Sequence, residues 1–167
     1  MNLKFLIFYK LPYFHHIYRV GLRVAGFGAP ASVVATAFLH EALEAPSWAS
    51  LDYLHREFGA GTASLVKELT PETGVAPGTA LKRFRLRLIG ASPGAKLIKA
   101  CCLNDAADTI QGEPGMIERW FDETLPTIDA IERGKHEDFG TGILAATVSI
   151  RGRFEELKAK GFSTTAR

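Results

Sequence analysis

The sequence predicts an all-α fold, a bundle of roughly seven or eight helices. Apolar residues recur at helical spacing along most of the chain, and no convincing alternating strand appears. Glycine and proline interrupt this pattern at intervals, so short connections are expected between the helices. Residues 147–150 have a local β preference, but they lie inside a longer helical pattern.

Four helical segments are predicted in the first half of the chain. Pro12 restricts the residue before it, so the first helix is preceded by a non-helical segment. Pro46 closes the second helix, Ser47 is a plausible N-cap for the third, and Gly59 ends the third. The predicted segments are Ile17–Phe27, Ala31–Leu43, Trp48–Phe58 and Thr62–Leu69.

The second half begins after a loop at residues 70–78, which contains two prolines and two glycines. The order Ser92-Pro93 is typical of an N-cap followed by the first helical residue. Residues 112–115 break the chain again, and Pro126 is expected to kink the helix in which it lies. The predicted helices are Thr79–Ile89, Pro93 to about Ile110, Met116–Ile131 and Phe139–Lys160.

Length and composition indicate one globular domain spanning residues 1–167. Hydrophobic residues make up 47% and charged residues 23%, which is ordinary for a chain that buries a core and argues against disorder. The formal charge of +2 is too weak to indicate a nucleic-acid partner. The N-terminal apolar run is too short for a secretory signal, and residues 24–39 are too short to span a membrane. With only two, adjacent cysteines, we expect a cytoplasmic protein.

Two histidines are candidates for a metal site. His16 and His40 lie 24 residues apart on successive predicted helices, so their imidazoles can meet at one point in a bundle. His40 and Glu44 share a helix face, and Glu41 leans roughly 100° away from His40. These are suitable ligands for a divalent ion and for steering a water molecule. The alternative is that both histidines are simply partly buried and hydrogen-bonded.

Basic and sulfur-containing residues give two further candidates. The densest basic cluster could line a polyphosphate site, although such a run is more often a solvated helix face. Cys102 and Asp105 share one face of a helix, where a thiolate could ligate a metal or take part in redox chemistry. For Cys101 the favoured interpretation is a small buried residue. The basic cluster consists of Lys82, Arg83, Arg85, Arg87, Lys96 and Lys99.

Several blocks of sequence, in order, resemble one known family. The blocks are Pro12-Tyr13-Phe14-His15-His16, Phe38-Leu39-His40-Glu41-Ala42-Leu43-Glu44-Ala45, Phe58-Gly59 through Leu65-Val66 to Thr70, and Ser92-Pro93-Gly94-Ala95-Lys96-Leu97-Ile98-Lys99. On these blocks the chain is similar to the HD-superfamily hydrolase domain of RelA/SpoT-type alarmone enzymes, and most closely to the stand-alone small alarmone hydrolases. The resemblance runs from about Pro12 to Gly161 and implies an HD-domain helical bundle.

The resemblance also implies a ligand set, in which several positions depart from the family pattern. The family holds manganese with a His, a His-Asp pair and a later Asp, which correspond here to His16, His40, Glu41 and Cys102. Asp105 is a possible substitute ligand one turn after Cys102. The family's Glu-Asp pair that handles the attacking water corresponds to Glu44 and Ala45, and its substrate-pocket Asn corresponds to Ala106.

Two functions are therefore expected. The first is a pseudo-enzyme that binds a guanine nucleotide, another 3′-phosphorylated nucleotide or a protein partner. The alternative is an active metal-dependent phosphohydrolase acting on guanosine 3′,5′-bispyrophosphate (ppGpp) or a related nucleotide. The cofactor would be Mn²⁺, or Zn²⁺ because of the cysteine, or none. The expected catalytic residue is Glu44, and the expected substrate contacts are Lys10, Lys82, Lys96 and Lys99. The family's opening helix is short or missing here, unless the natural chain starts upstream of Met1.

Overall fold

The computed structural model describes residues 13–44, 49–134, 136 and 138–162, and all regular secondary structure within them is helical. Seven helices form in these ranges, so the all-α prediction is confirmed. Residues 147–150, with their local β preference, lie inside the last helix. The helices are α1 (Tyr13–Gly26), α2 (Ala31–Leu39), α3 (Leu51–Leu69), α4 (Pro77–Ile89), α5 (Pro93–Thr109), α6 (Pro114–Glu132) and α7 (Gly140–Ala159).

Helix α2 is shorter than predicted. It ends at Leu39, with His40 as its C-cap, and residues 41–44 form a turn. The backbone N–H of Ala42 donates to the carbonyl of Leu39 at 2.8 Å, an i→i+3 bond that tightens the last turn and ends the helix. The predicted helical face shared by His40 and Glu44 is therefore wrong, because these residues follow the helix.

Helix α3 starts later than predicted and contains the expected glycine break. Its first residue is Leu51, and the Ser50 hydroxyl accepts a hydrogen bond from the Tyr53 backbone N–H at 3.1 Å. The predicted start at Trp48 and its cap Ser47 lie outside the described residues. Gly59 has φ 85° and ψ 164°, a conformation that favours glycine, so the helix kinks there as the sequence indicated.

Proline and serine fix the starts of the later helices. Pro77, Pro93 and Pro114 each occupy the first turn of a helix, where no donor N–H is needed. Ser92 caps α5 by accepting from the Ala95 N–H at 3.3 Å. Its own N–H and hydroxyl donate to Glu68 at 2.8 and 2.9 Å, which joins the end of α3 to the start of α5.

Helix α5 lies at the centre of the bundle. It packs against α1, α2, α3, α6 and α7, and most of its residues are buried on every face. A helix that is buried all round positions whatever polar groups it carries inside the protein. A smaller apolar cluster of Ala42, Leu54, Ala63 and Val66 lies beneath the turn that follows α2 and supports it. The described part of the chain has no helix long and apolar enough to cross a membrane.

Two glycines of α7 allow a matched test of this packing. A Cβ added at Gly142 would lie 2.8 Å from the ring of Phe27 and 3.1 Å from Leu97, whereas one added at Gly152 would meet nothing within 4 Å. Gly142→Ala should therefore destabilise the protein by about 1–3 kcal/mol through overpacking. Gly152→Ala should stabilise it by about 0.5–1 kcal/mol through helix propensity. Urea denaturation of both variants would contradict this packing if the two free-energy changes had the same sign.

Candidate metal centre

Four potential metal ligands converge inside the bundle. His16 comes from α1, His40 and Glu41 from the end of α2, and Cys102 from the middle of α5. One ligand atom of each lies within 4.8 Å of the others. The two imidazole rings are 5.6 Å apart between centroids, and both histidines and the cysteine are buried. Three helices thus bring four potential metal ligands close together inside the bundle.

The ring of His40 is held with one nitrogen directed at this cluster. Its Nδ1 donates to the carbonyl oxygen of Ala37 at 2.7 Å, one turn earlier on α2. Its Nε2 is buried and has no hydrogen-bond partner among the described residues, and it lies 3.7 Å from a carboxylate oxygen of Glu41. A buried polar atom without a partner is costly, so its presence calls for a further group at this point.

The ring of His16 is held in a similar way by a carboxylate. Nδ1 of His16 lies 2.8 Å from Oδ2 of Asp105, which is fully buried on α5. Nε2 of His16 lies 3.6 Å from Sγ of Cys102. Arg19 completes the arrangement with two hydrogen bonds to the Asp105 carboxylate, at 2.7 and 2.9 Å.

The electrostatics of the cluster favour charged forms. Burial alone would raise the pKa of Cys102, but Lys99 and His16 hold it well below its usual range. Burial opposes protonation of His16, yet Cys102 and Asp105 raise its pKa to about 9. Burial likewise opposes the charge of Asp105, and hydrogen bonds from His16 and Arg19 keep its pKa below the ordinary value. A thiolate is the form in which cysteine binds a metal.

The chemistry of the donors fits a soft or borderline divalent ion. Two imidazoles, a carboxylate and a thiolate are ligands that Zn²⁺ accepts in a tetrahedral arrangement. Mn²⁺ prefers oxygen and imidazole donors, so a thiolate at Cys102 suits it poorly. The His40 atom without a partner and the Nδ1 bonds of both histidines are features that metal-ligating histidines have.

Cys102, His16 and Asp105 also have the order of a nucleophile, base and orienting acid. Such a triad acts only where the nucleophile can contact a substrate. Here the exposed fractions of the three residues are 6%, 2% and 0%, so all three are buried among the described residues. Burial and the presence of His40 and Glu41 beside the pair therefore favour metal binding over nucleophilic catalysis.

The expected acidic residues take different positions. Asp105 was considered as a substitute ligand, but its carboxylate oxygens bind His16 and Arg19 and it is not one of the converging ligands. Its carboxylate contacts Nδ1 of His16, whereas Cys102 lies near Nε2 of the same ring. Glu44 lies in the turn after α2 and does not belong to the converging set either, although its backbone N–H donates to the Glu41 carbonyl at 2.9 Å.

The three expected substrate contacts that lie within the described residues have different surroundings. Lys99 is 8% exposed, one turn before Cys102, with its ammonium group 5.4 Å from the centre of the Phe84 ring. Lys82 is exposed and lines a cavity of about 240 Å³ between α4 and α6, whose lining includes none of the converging ligands. Lys10 lies outside the described residues.

Lys96 requires a correction. It is 1% exposed, and its ammonium group donates to the carbonyls of Ile89 at 3.0 Å and Arg133 at 2.6 Å. These hydrogen bonds join the end of α4 to the segment after α6. The ammonium group of Lys96 therefore binds backbone carbonyls and is not directed at a nucleotide. Burial is the physical reason, since an ammonium group inside a protein must be compensated by acceptors.

Sequence reasoning missed the arginines of α1 and one amide of α5. Arg23 binds Asn104 at 2.6 Å and Asp108 at 2.7 Å, and Asn104 donates to Ser149 on α7 at 3.0 Å. A signal was available, because Arg19 and Arg23 follow His16 at helical spacing and Asp105 and Asp108 share a face of α5. Opposite charges on two amphipathic helices indicate contact only once the helices are known to be neighbours.

Solved structures with the same arrangement of helices identify the fold. The chain superposes on a metazoan ortholog of SpoT that hydrolyses ppGpp with a TM-score of 0.73, at 18% identity, covering 88% of this chain and 82% of that one. The chain has the RelA/SpoT-type HD fold. A protein of Listeria monocytogenes EGD-e, lmo0812, matches with a TM-score of 0.72 at 15% identity, covering 87% of this chain and 99% of the other. The resemblance read from the sequence is confirmed at the level of the fold.

Curated relatives agree over a shorter segment. Two plant proteins, Probable GTP diphosphokinase RSH2 and RSH3, chloroplastic, of Arabidopsis thaliana, are each 39% identical over 56 residues. That segment is 34% of this chain and about 8% of the length of these relatives. No protein-family model matches the chain.

The position of Lys96 generates a stability prediction. Lys96→Met would leave the carbonyls of Ile89 and Arg133 without their buried donor, so it should lower the free energy of unfolding by about 1–3 kcal/mol. The exposed Lys82→Met should change it by less than about 0.5 kcal/mol. Chemical denaturation measures both values. Equal stability of the two variants would argue against the structural role of Lys96.

Proposed function

We propose that this protein is an HD domain that holds a metal ion and binds a guanine nucleotide without hydrolysing it. The observation that carries the proposal is the ligand cluster of His16, His40, Glu41 and Cys102, all supplied by the protein. If the ion is zinc, four protein ligands would fill its tetrahedral coordination, as in structural zinc sites, whereas catalytic zinc sites keep one position for water or substrate. A filled zinc site would support binding and stabilisation more than hydrolysis.

Zinc is the ion that we propose for this site. The thiolate of Cys102 favours Zn²⁺ over Mn²⁺, because softer donors select softer ions. His16, His40, Glu41 and Cys102 would hold it, and when bound it would supply a rigid link between α1, α2 and α5. The buried Nε2 of His40 would then gain a partner. Zinc–thiolate coordination also suits the reducing cytoplasm that is proposed for the protein.

The departures from the resembled family support the loss of hydrolysis. Glu41 in place of Asp adds a methylene to one ligand, and Cys102 replaces a carboxylate. Ala45 stands where the second carboxylate that handles the attacking water is expected, and losing such a group typically costs about 10²–10⁴-fold in rate. Ala106 replaces the Asn of the substrate pocket. Each change acts on a different part of the reaction.

A guanine nucleotide with a 3′-phosphate is the proposed ligand, by analogy with the ppGpp-hydrolysing metazoan protein of the same fold. Lys99 is the proposed phosphate contact, because it lies on α5 one turn before Cys102 and places a positive charge next to the proposed metal site. A protein partner is the competing ligand class.

An active phosphohydrolase is the second candidate function, and the position of Glu41 favours it. Glu41 is only partly buried, and its carboxylate lies 3.7 Å from Nε2 of His40. If it stayed outside the coordination sphere, His16, His40 and Cys102 would form a three-ligand set of the catalytic type. Glu41 would then be placed to accept a proton from an attacking water.

Metal content and preference test the site. We expect about one Zn²⁺ per chain by elemental analysis of protein purified without chelators. Cys102→Ser should weaken Zn²⁺ binding, whereas Cys102→Asp should move the preference towards Mn²⁺, since it replaces a soft ligand by a hard one. Cys101→Ser is the matched control, because Cys101 is buried beside it but is not one of the converging ligands. A wild-type protein that binds neither ion in competition titrations would contradict the metal site.

Nucleotide assays separate the two functions. The zinc-loaded protein is incubated with ppGpp, with and without added Mn²⁺, and both binding and release of pyrophosphate are measured. The proposal predicts binding by calorimetry, weaker in Lys99→Met than in Lys82→Met, with no release of pyrophosphate. Release that disappears in Glu41→Gln would establish the hydrolase instead, and absence of both would leave the partner-binding class.

A further inference from the structure

We propose that Asp105 and Arg19 form a positioning pair, which fixes the ring of His16 so that its Nε2 serves the metal site. The inference rests on the proposed metal-holding function and deepens it. Neither residue belongs to the ligand set, and Asp105 was expected to be at most a substitute ligand. The pair is a property of this chain's own side chains on α1 and α5.

Both carboxylate oxygens of Asp105 accept hydrogen bonds from Arg19, and one of them also accepts from His16. Its Oδ1 accepts from Nε of Arg19 at 2.7 Å, and its Oδ2 accepts both from a terminal Arg19 nitrogen at 2.9 Å and from Nδ1 of His16 at 2.8 Å. Arg23 adds a longer contact of 3.7 Å to Oδ1. A two-point arginine–carboxylate contact fixes the orientation of the carboxylate as well as its position.

This orientation decides which nitrogen of His16 faces the cluster. A carboxylate can only accept, so Nδ1 of His16 carries the proton in the contact with Asp105. The other nitrogen, Nε2, is then on the side of Cys102, at 3.6 Å from its sulfur. His40 has the same arrangement, with Nδ1 on a backbone carbonyl and Nε2 in the cluster. Histidines that ligate metals are normally oriented by such second partners.

Arg19 also explains why Cys102, and not Asp105, is the ligand from α5. The two residues lie one turn apart on the same helix, so either could approach an ion between α1 and α5. Asp105 has no exposed surface and both of its oxygens are bound by Arg19. Moving it into the ligand set would break both hydrogen bonds between Arg19 and its carboxylate. Arg19 thereby keeps the Asp105 carboxylate at Nδ1 of His16 and out of the ligand set.

A pair of asparagine variants tests the inference. Asp105→Asn offers one oxygen to donors that occupy two, so the ring of His16 loses its fixed orientation. Asp108→Asn is the matched control, because Asp108 lies on the same helix and binds Arg23 at 2.7 Å without belonging to the His16 contact. The zinc affinity of Asp105→Asn should fall by about 10–100-fold. That of Asp108→Asn should stay within about threefold of wild type.

A spectroscopic readout distinguishes positioning from general loss of structure. In the zinc-loaded wild type and in Asp108→Asn, long-range ¹H–¹⁵N spectra should show His16 protonated at Nδ1 and metal-bound at Nε2. In Asp105→Asn this signature should be lost or mixed, while the signature of His40 is retained. Should Asp105→Asn fail to fold, Arg19→Lys replaces it, since lysine keeps the charge but not the two-point contact. Its zinc affinity should fall by roughly threefold to tenfold.

The outcomes distinguish failure of the proposed metal site from failure of the proposed positioning pair. If the wild type binds no zinc, the metal site and the positioning pair are both overturned. If the wild type binds zinc and Asp105→Asn binds it as tightly as Asp108→Asn, the positioning pair is overturned and the metal site stands. If Arg19→Lys, used in place of an unfolded Asp105→Asn, matches the wild type in affinity and His16 signature, the pair is overturned as well.

Discussion

A carboxylate buried at the centre of the bundle constrains both the fold and the site. Asp105 has no exposed surface, and an ionised side chain in such a position is tolerated only with compensating charges and hydrogen bonds. All of those that the contacts give come from α1, through His16 and the two arginines that follow it. The register of α1 on α5 is therefore tied to this one group. Because Asp105 itself has no exposed surface, removing its partners would leave an uncompensated buried charge, which destabilises the fold.

The same constraint brings the candidate ligands together. His16 and Cys102 lie on the two helices that Asp105 and Arg19 join, so the contact that compensates the charge also sets the distance between imidazole and sulfur. The third helix, α2, contributes its candidate ligands from its C-terminal end. His40 is the C-cap of α2, and its Nδ1 bonds the carbonyl of Ala37, one of the groups that a helix end leaves without an intrahelical partner. The hydrogen bond that satisfies a carbonyl at the end of α2 thus also fixes the orientation of the His40 ring.

The sequence predicted the helices well, but not the contacts that hold the candidate ligands. Apolar periodicity and the breaks at proline and glycine located all seven helices, because these signals are local. The end of α2 was missed since its i→i+3 bond at Ala42 competes with continued helix and leaves no mark in residue type. The roles of Arg19 and Lys96 depend on which surfaces face each other across the bundle. Spacing along one helix identifies a charged face, but not the carboxylate or carbonyl on the neighbouring helix that it meets.

The central position of α5 places the proposed ligand Cys102 inside the bundle. Most residues of α5 are buried in its packing against five other helices, and Cys102 is one of them. The buried thiol of Cys102 adds little desolvation cost when neutral and becomes a strong ligand when ionised, whereas a second buried carboxylate one turn from Asp105 would need its own compensation. Lys99 and the imidazole of His16 stabilise one negative charge at position 102. In the proposed site, position 102 thus supplies a softer donor than a carboxylate, which favours Zn²⁺ over Mn²⁺.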